Sequence, residues 1–129
     1  MKSRVAIVQR DIVWCDVERN FQQLETMLAD VEADVVVLSE MFQTGFVTEP
    51  EGVADDGRTL RWMLVAAKQI DAAIVGSVIV REDGQFFNRL YFVKPTGEVE
   101  WYDKHHLFSI GGEAEHFARG MERKVVEWR

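Results

Sequence analysis

A single cysteine, Cys15, is all the thiol chemistry in the chain. An internal disulfide is therefore excluded, in keeping with a reducing compartment. A long hydrophobic run is also missing, since no apolar stretch approaches the ~20 residues that span a bilayer. The N-terminal Met1-Lys2-Ser3-Arg4 leads straight into a strand pattern, without the apolar core and cleavage site of a signal peptide. These absences place the protein in the cytoplasm with no membrane partner. Positive charge is in deficit, with 15 Lys and Arg against 22 Asp and Glu for a formal net charge of −7. That balance argues against a nucleic acid as partner, because phosphate binding needs a clustered surplus of basic residues, and the basic cluster at 119–124 reads as a solvated face. No internal repeat, low-complexity tract or linker-like segment interrupts the chain. What is there, 129 residues of which 47% are hydrophobic and 29% charged, is the composition of one ordinary globular domain over 1–129 with a real core.

The organising stretch is Val35-Val36-Val37-Leu38-Ser39-Glu40-Met41-Phe42. A short run of large apolar residues reads as a strand buried on both faces, and Glu40 stands where that strand leaves the sheet. Upstream, Val5-Ala6-Ile7-Val8 is a first buried strand. Between the two, Val17, Phe21, Leu24, Leu28 and Val31 recur at helical spacing, with Met27 beside them and Asp16 placed to cap the helix start. Strand, helix and strand in this order make a right-handed parallel crossover. Residues 43–57, rich in Gly, Thr, Glu, Asp and Pro, form a long surface loop of the kind that often carries function. A second amphipathic helix is marked by Leu60, Met63, Leu64, Ala67 and Ile70, with Trp62 at its margin.

A third strand covers 72–80, and Gly76-Ser77 in its middle signals close backbone approach or a bulge. Asp83-Gly84 is a hairpin turn, 86–93 the returning strand, Pro95-Thr96-Gly97 the next turn and 99–103 the next strand. Residues 109–120 are loop-like or briefly helical, and 124–128 begin another strand. The class is α/β, a mixed sheet with antiparallel hairpins added to a parallel beginning and two amphipathic helices.

The polar cluster Tyr102-Asp103-Lys104-His105-His106 follows a strand, as Glu40 does. If those strands are neighbours, the Glu40 carboxylate and the Lys104 ammonium converge within salt-bridge reach at one sheet edge, and each favours the charged form of the other. Such a pair can serve as general base and electrostatic stabiliser, and it can equally be a plain ion pair. His105, His106 and His116 with Glu113 and Glu115 raise the question of a metal. Adjacent histidines on extended backbone point to opposite faces, so these read as ordinary hydrogen-bonding side chains and no metal is expected.

Local sequence narrows this further. Val36-Val37-Leu38-Ser39-Glu40-Met41-Phe42 with Thr44-Gly45-Phe46 resembles the first catalytic block of the nitrilase superfamily of carbon–nitrogen hydrolases. Gly76-Ser77 followed by Phe87-Asn88-Arg89 resembles that family's central hairpin, and Tyr102-Asp103-Lys104-His105-His106-Leu107-Phe108 its second catalytic block. Among the branches, the bacterial omega-amidases are the most similar. The resemblance implies a nitrilase-like α-β-β-α sandwich to which this chain contributes the N-terminal part. It also implies hydrolysis of a small-molecule amide, the side-chain amide of a 2-oxo dicarboxylic acid monoamide, without metal or organic cofactor.

Carried over by residue, Glu40 is the general base, Lys104 the oxyanion stabiliser and Glu113 a buried glutamate that orients both, with Glu115 as a neighbouring competitor. Phe42, Thr44 and Phe46 would line the substrate pocket, or serve only as core and turn residues. The family's nucleophile, a cysteine on a strand-to-helix turn, has no counterpart here, and Cys15 lies in the wrong block. The expectation is thus a domain incomplete at its C-terminus, partnered by a complementary C-terminal segment or by further copies of itself. The alternative is a catalytically silent chain acting as an interaction module.

Overall fold

The computed structural model describes residues 2–129. Strands β1 (Val5–Ile7), β2 (Val35–Val37), β3 (Ala73–Glu82), β4 (Gln85–Val93) and β5 (Val99–Asp103) form one sheet in sequence order, with helices α1 (Val17–Leu28), α2 (Arg58–Ile70) and the short α3 (Glu113–His116). β1, β2 and β3 are parallel, while β3, β4 and β5 are antiparallel. This is the mixed α/β arrangement that the alternating strand and helix patterns predict. Glu82 pairs with Gln85 across a two-residue turn in which Asp83 and Gly84 both take positive φ, the hairpin geometry favoured by an Asp-Gly pair.

The helices form where side chains satisfy their free first-turn amides. Asp16 accepts from the Arg19 amide at 3.1 Å, as the capping pattern predicts. For α2 the acceptor is Asp55, further upstream than a standard cap, whose carboxylate takes the Gly57 and Thr59 amides at 2.9 Å each. Both helices lie on one face of the sheet. Phe21, Leu24 and Leu28 of α1 and Met63, Ala66 and Ala67 of α2 close over Val36, Ile74, Val78, Tyr91 and Val93. Trp62, placed at the margin by its spacing, stacks on Phe21 with centroids 4.8 Å apart and so joins the two helices.

The opposite face is covered only at one end. There Met41, Val47 and Phe117 pack on Ile79. Val5 and Ile7 are 55% and 79% exposed, and Val35 and Val37 are half-buried, so β1 and β2 are not buried on both faces as their apolar runs suggest. Only their Ala6 and Val36 positions face the helices, because alternate residues of a strand point to opposite sides.

Two further expectations are corrected. Residues 124–128 make no strand ladder; this segment is held instead near its end, where the Trp128 indole donates to the Asp34 carbonyl at 2.8 Å. The strands that precede Glu40 and Lys104 are not neighbours either, since β3 and β4 lie between β2 and β5. The separation is closed by the chain leaving β2 sideways across β3. The Leu38 amide still bonds the Val75 carbonyl at 2.7 Å, and the Met41 amide donates to Ser77 Oγ at 2.9 Å. Met41 takes positive φ to complete the turn.

Gly76 is what permits the crossing. A Cβ there would stand 2.7 and 2.9 Å from the Phe42 ring and 3.1 Å from Leu38 Cβ. Phe42 is fully buried and has nowhere to retreat. We therefore expect Gly76→Ala to destabilise the fold by about 1–3 kcal/mol, the usual cost of overpacking a closed core. Urea unfolding measures it, and an unchanged midpoint would show that the crossing tolerates a side chain.

Candidate active site

Four side chains converge on the face opposite the helices. Glu40 comes from the turn after β2, Asn88 from the middle of β4, Lys104 from the residue after β5, and Glu113 from the first position of α3. Lys104 Nζ lies 2.7 Å from Glu40 Oε1 and 2.9 Å from Glu113 Oε1. Asn88 Nδ2 donates to the same two carboxylates, to Glu40 Oε1 at 2.7 Å and to Glu113 Oε2 at 2.9 Å. An open depression of about 290 Å³, lined by Leu38, Ser77, Leu90 and Tyr102, lies beside Glu40, Asn88 and Lys104.

The backbone fixes each contributor. The Lys104 amide donates to the Asn88 carbonyl at 2.9 Å, and the Lys104 carbonyl accepts from the Gly120 amide at 3.1 Å. The segment from Lys104 is thereby held as an extension of the β4–β5 ladder. Glu113 starts a one-turn helix whose preceding loop folds back, so that the Phe108 amide donates to Glu113 Oε1 at 2.7 Å. Edge-to-face packing of Phe46 and Phe108, 6.2 Å between centroids, closes the loop over the cluster, and Lys104 Nζ lies 5.5 Å from the Phe46 ring centre.

Exposure grades the groups. Glu113 is 0% exposed, and the side chains of Lys104 and Glu40 are 27% and 44% exposed. Burial works against a charge on Lys104, but its hydrogen bonds to Glu40 and Glu113 outweigh that and hold its pKa above the ordinary lysine value. Burial likewise pushes Glu113 up, and the Phe108 amide, Asn88 and Lys104 together carry it below the ordinary glutamate range. Lys104 is thus a fixed cation and Glu113 a fixed anion. Glu40 is the carboxylate of the three that reaches the depression with water access.

The other candidate residues fall elsewhere. Phe42 is buried in the core beneath the helices, tilted against Trp62, and the buried Thr44 hydroxyl donates to the Gly45 carbonyl; neither lines the depression. Phe46 touches the site through Lys104. Glu115 is exposed, so the buried position belongs to Glu113. Cys15 is exposed and lines a different cleft with Gln43, Thr44 and Asp55. His105 Nδ1–H donates to the Gly120 carbonyl at 2.6 Å, with the His106 ring edge-to-face against it at 4.7 Å. Among the described residues no three His, Cys, Asp or Glu side chains gather as metal ligands.

Sequence reasoning assigned no role to Asn88 or Ser77. The available signal was a polar residue in mid-strand. Asn is depleted in strands, and Asn88 stands within the strongly apolar run Phe86-Phe87 and Leu90-Tyr91-Phe92. Its neighbour Arg89 points to the helix side, where it forks onto Asp103 at 2.7 and 3.0 Å.

The carbon–nitrogen hydrolase family profile matches residues 4–127. This chain belongs to that family. An omega-amidase of Yersinia enterocolitica is 37% identical over 128 residues, 98% of this chain and 50% of that protein. A 2-oxoglutaramate amidase of Bacillus subtilis is 32% identical, across 98% of this chain and 52% of that protein. The crystal structure of a CN-hydrolase superfamily protein from Xanthomonas campestris superposes with a TM-score of 0.94 at 37% identity, over 98% of this chain and 49% of the other. The chain therefore spans about half the length of these carbon–nitrogen hydrolases.

The charge cluster of this carbon–nitrogen hydrolase chain has a measurable stability signature. Because the folded pKa of Glu113 lies below its ordinary value of 4.5, its ionisation contributes stability that is fully present above that value. The contribution is lost as pH falls through the lower, folded value. We expect Glu113→Gln to cost about 3 kcal/mol at pH 7, the scale for removing one partner of a buried ion pair. The gap from wild type should narrow steadily below about pH 4. Urea unfolding at both pH values tests this, and a gap that widens on acidification would contradict it.

Proposed function

We infer that this chain carries the base and the oxyanion stabiliser of an omega-amidase-like hydrolase, which cleaves the side-chain amide of small 2-oxo dicarboxylic acid monoamides. The observation that carries the reading is the convergence of Glu40, Lys104 and Glu113 within 2.9 Å contacts beside an open depression. The relatives named omega-amidase and 2-oxoglutaramate amidase support the substrate class.

In this mechanism Glu40 takes the proton of a thiol nucleophile as its sulfur attacks the amide carbonyl carbon. The oxyanion forms beside the Lys104 ammonium, whose charge is already fixed by two carboxylates, so little reorganisation accompanies the step. Collapse breaks the C–N bond, protonated Glu40 returns the proton to nitrogen, and ammonia leaves. Water activated by Glu40 then cleaves the thioester, releasing the acid and restoring the thiol. Cys15 is not placed for this role, since it opens onto another cleft. On this reading the thiol is supplied from outside these 129 residues, whose single cysteine is Cys15.

A second reading, an interaction module that self-associates, draws on the exposed Val5, Ile7 and Leu90 along the uncovered sheet face. One experiment separates the two. The 129-residue chain and the protein encoded by its complete natural reading frame are assayed with a 2-oxo acid monoamide. We expect the chain alone to stay near background, because losing a nucleophile costs roughly 10⁶ in turnover. The complete protein should turn over, losing about 10²–10⁴-fold with Glu40→Gln and about 10³-fold with Lys104→Ala, and nothing with Cys15→Ser. Activity indifferent to Glu40→Gln, or abolished by Cys15→Ser, would overturn the assignment. A complete protein that binds the amide without turnover would give the lead to the interaction module.

A further inference from the structure

Asn88 makes two of the five short contacts that hold the carboxylates, yet no role in the chemistry attaches to it. The residue is 2% exposed in the middle of a central strand. Its side-chain nitrogen bridges Glu40 Oε1 and Glu113 Oε2, while Lys104 bridges Glu40 Oε1 and Glu113 Oε1. Two donors of different kinds therefore span the same pair of anions side by side.

The orientation of the amide is set by charge. Turned over, its oxygen would oppose two carboxylates; as placed, Oδ1 is buried without a partner among the described residues. A polar atom left in that state is tolerated only where the other end of the group is strongly held, as it is here by two charge-assisted bonds.

The consequence lies at Glu40. Held by Lys104 alone, a carboxylate pivots about a single contact. With Asn88 as second donor on the same oxygen, Oε1 is pinned from two directions and Oε2 is left as the oxygen free for proton transfer. We propose that Asn88 is a positioning residue for the base, selecting Glu40 Oε2 as the proton-accepting atom by locking Oε1, and coupling that lock to Glu113. The proposal rests on the reading of Glu40 as the base. Asn88 neither gains nor loses a proton. The thiol proton moves to Oε2 and from there to the departing nitrogen.

The test uses the protein from the complete reading frame, with kcat and KM measured between pH 5 and 9 for wild type and Asn88→Asp. A carboxyl at this position can donate only while protonated, and once ionised it sets a third anion against the other two. Misplacement of a catalytic group by about 1 Å costs about 10²-fold, so kcat should fall by about that factor at pH 8 while KM stays within about threefold. Part of the loss should return as pH is lowered, a recovery that wild type does not show. Asn88→Ser, which keeps at most a shorter single donor, provides a readout independent of turnover. The Glu113 carboxyl, followed by carbon-13 NMR, should titrate at higher pH than in wild type. An active wild type whose kcat and pH profile survive Asn88→Asp overturns the proposal and leaves the amidase reading standing. Wild type inactive on every amide overturns the amidase reading and the positioning of a base with it. A Glu113 titration unmoved by Asn88→Ser overturns the bridge itself.

Discussion

A carboxylate withdrawn completely from water is costly unless donors surround it, and Glu113 imposes that demand on everything near it. Three donors meet it: the Phe108 amide, Asn88 and Lys104. Each determines a part of the structure. The amide requires the loop after β5 to fold back onto α3. The asparagine places a polar residue in a central strand. The ammonium must reach inward, where it remains charged and lies close enough to hold Glu40. The exposed carboxylate is thus anchored through a buried one, and the direction of support runs from the core outward to the solvent-accessible Glu40. Preorganisation of this kind is what the oxyanion role proposed for Lys104 would require.

The sheet supplies the second constraint. Glu40 and Lys104 leave strands separated by two others, so they meet only because the chain after β2 crosses over β3. Gly76 makes room for Phe42 beneath the crossing, and Ser77 takes the Met41 amide above it. The two residues act on opposite faces of the same strand. Phe42 locks the turn into the helix-side core and Glu40 emerges on the other side, which accounts for residues two positions apart in one motif ending in different environments.

Most of the architecture could be read from patterns that local physics enforces. The 3.6-residue spacing of Phe21, Leu24 and Leu28, the Asp16 cap and the Asp-Gly turn each carry their own geometry. Gly76-Ser77 was legible as a close backbone approach, though not what approaches it. The neighbourhood of β2 and β5 was misjudged because two catalytic-type residues suggested adjacency, whereas a crossing turn achieves it without strand pairing. Double-sided burial of β1 and β2 was misjudged for a related reason: a continuous apolar run reports what a strand can bury, not what this chain places over it. The strand expected at 124–128 has the β-branched Val125 and Val126, yet the segment makes no ladder. Asn88 escaped because its role depends on Glu40 and Glu113, both distant in sequence, and a lone polar residue in a strand has no local partner to announce it. Motif resemblance pointed to Glu40, Lys104 and Glu113. Only the fold shows that one asparagine joins them.

The central claim is that Lys104 is a permanently charged clamp between two carboxylates. Carbon-13 NMR of the Lys104 side chain, followed through alkaline pH, tests it most directly. The account predicts a midpoint above the ordinary lysine value of 10.5, moving downward when Glu113 is replaced by glutamine. A midpoint at or below that value in the wild-type protein would mean that burial outweighs the paired carboxylates, and the clamp would not exist.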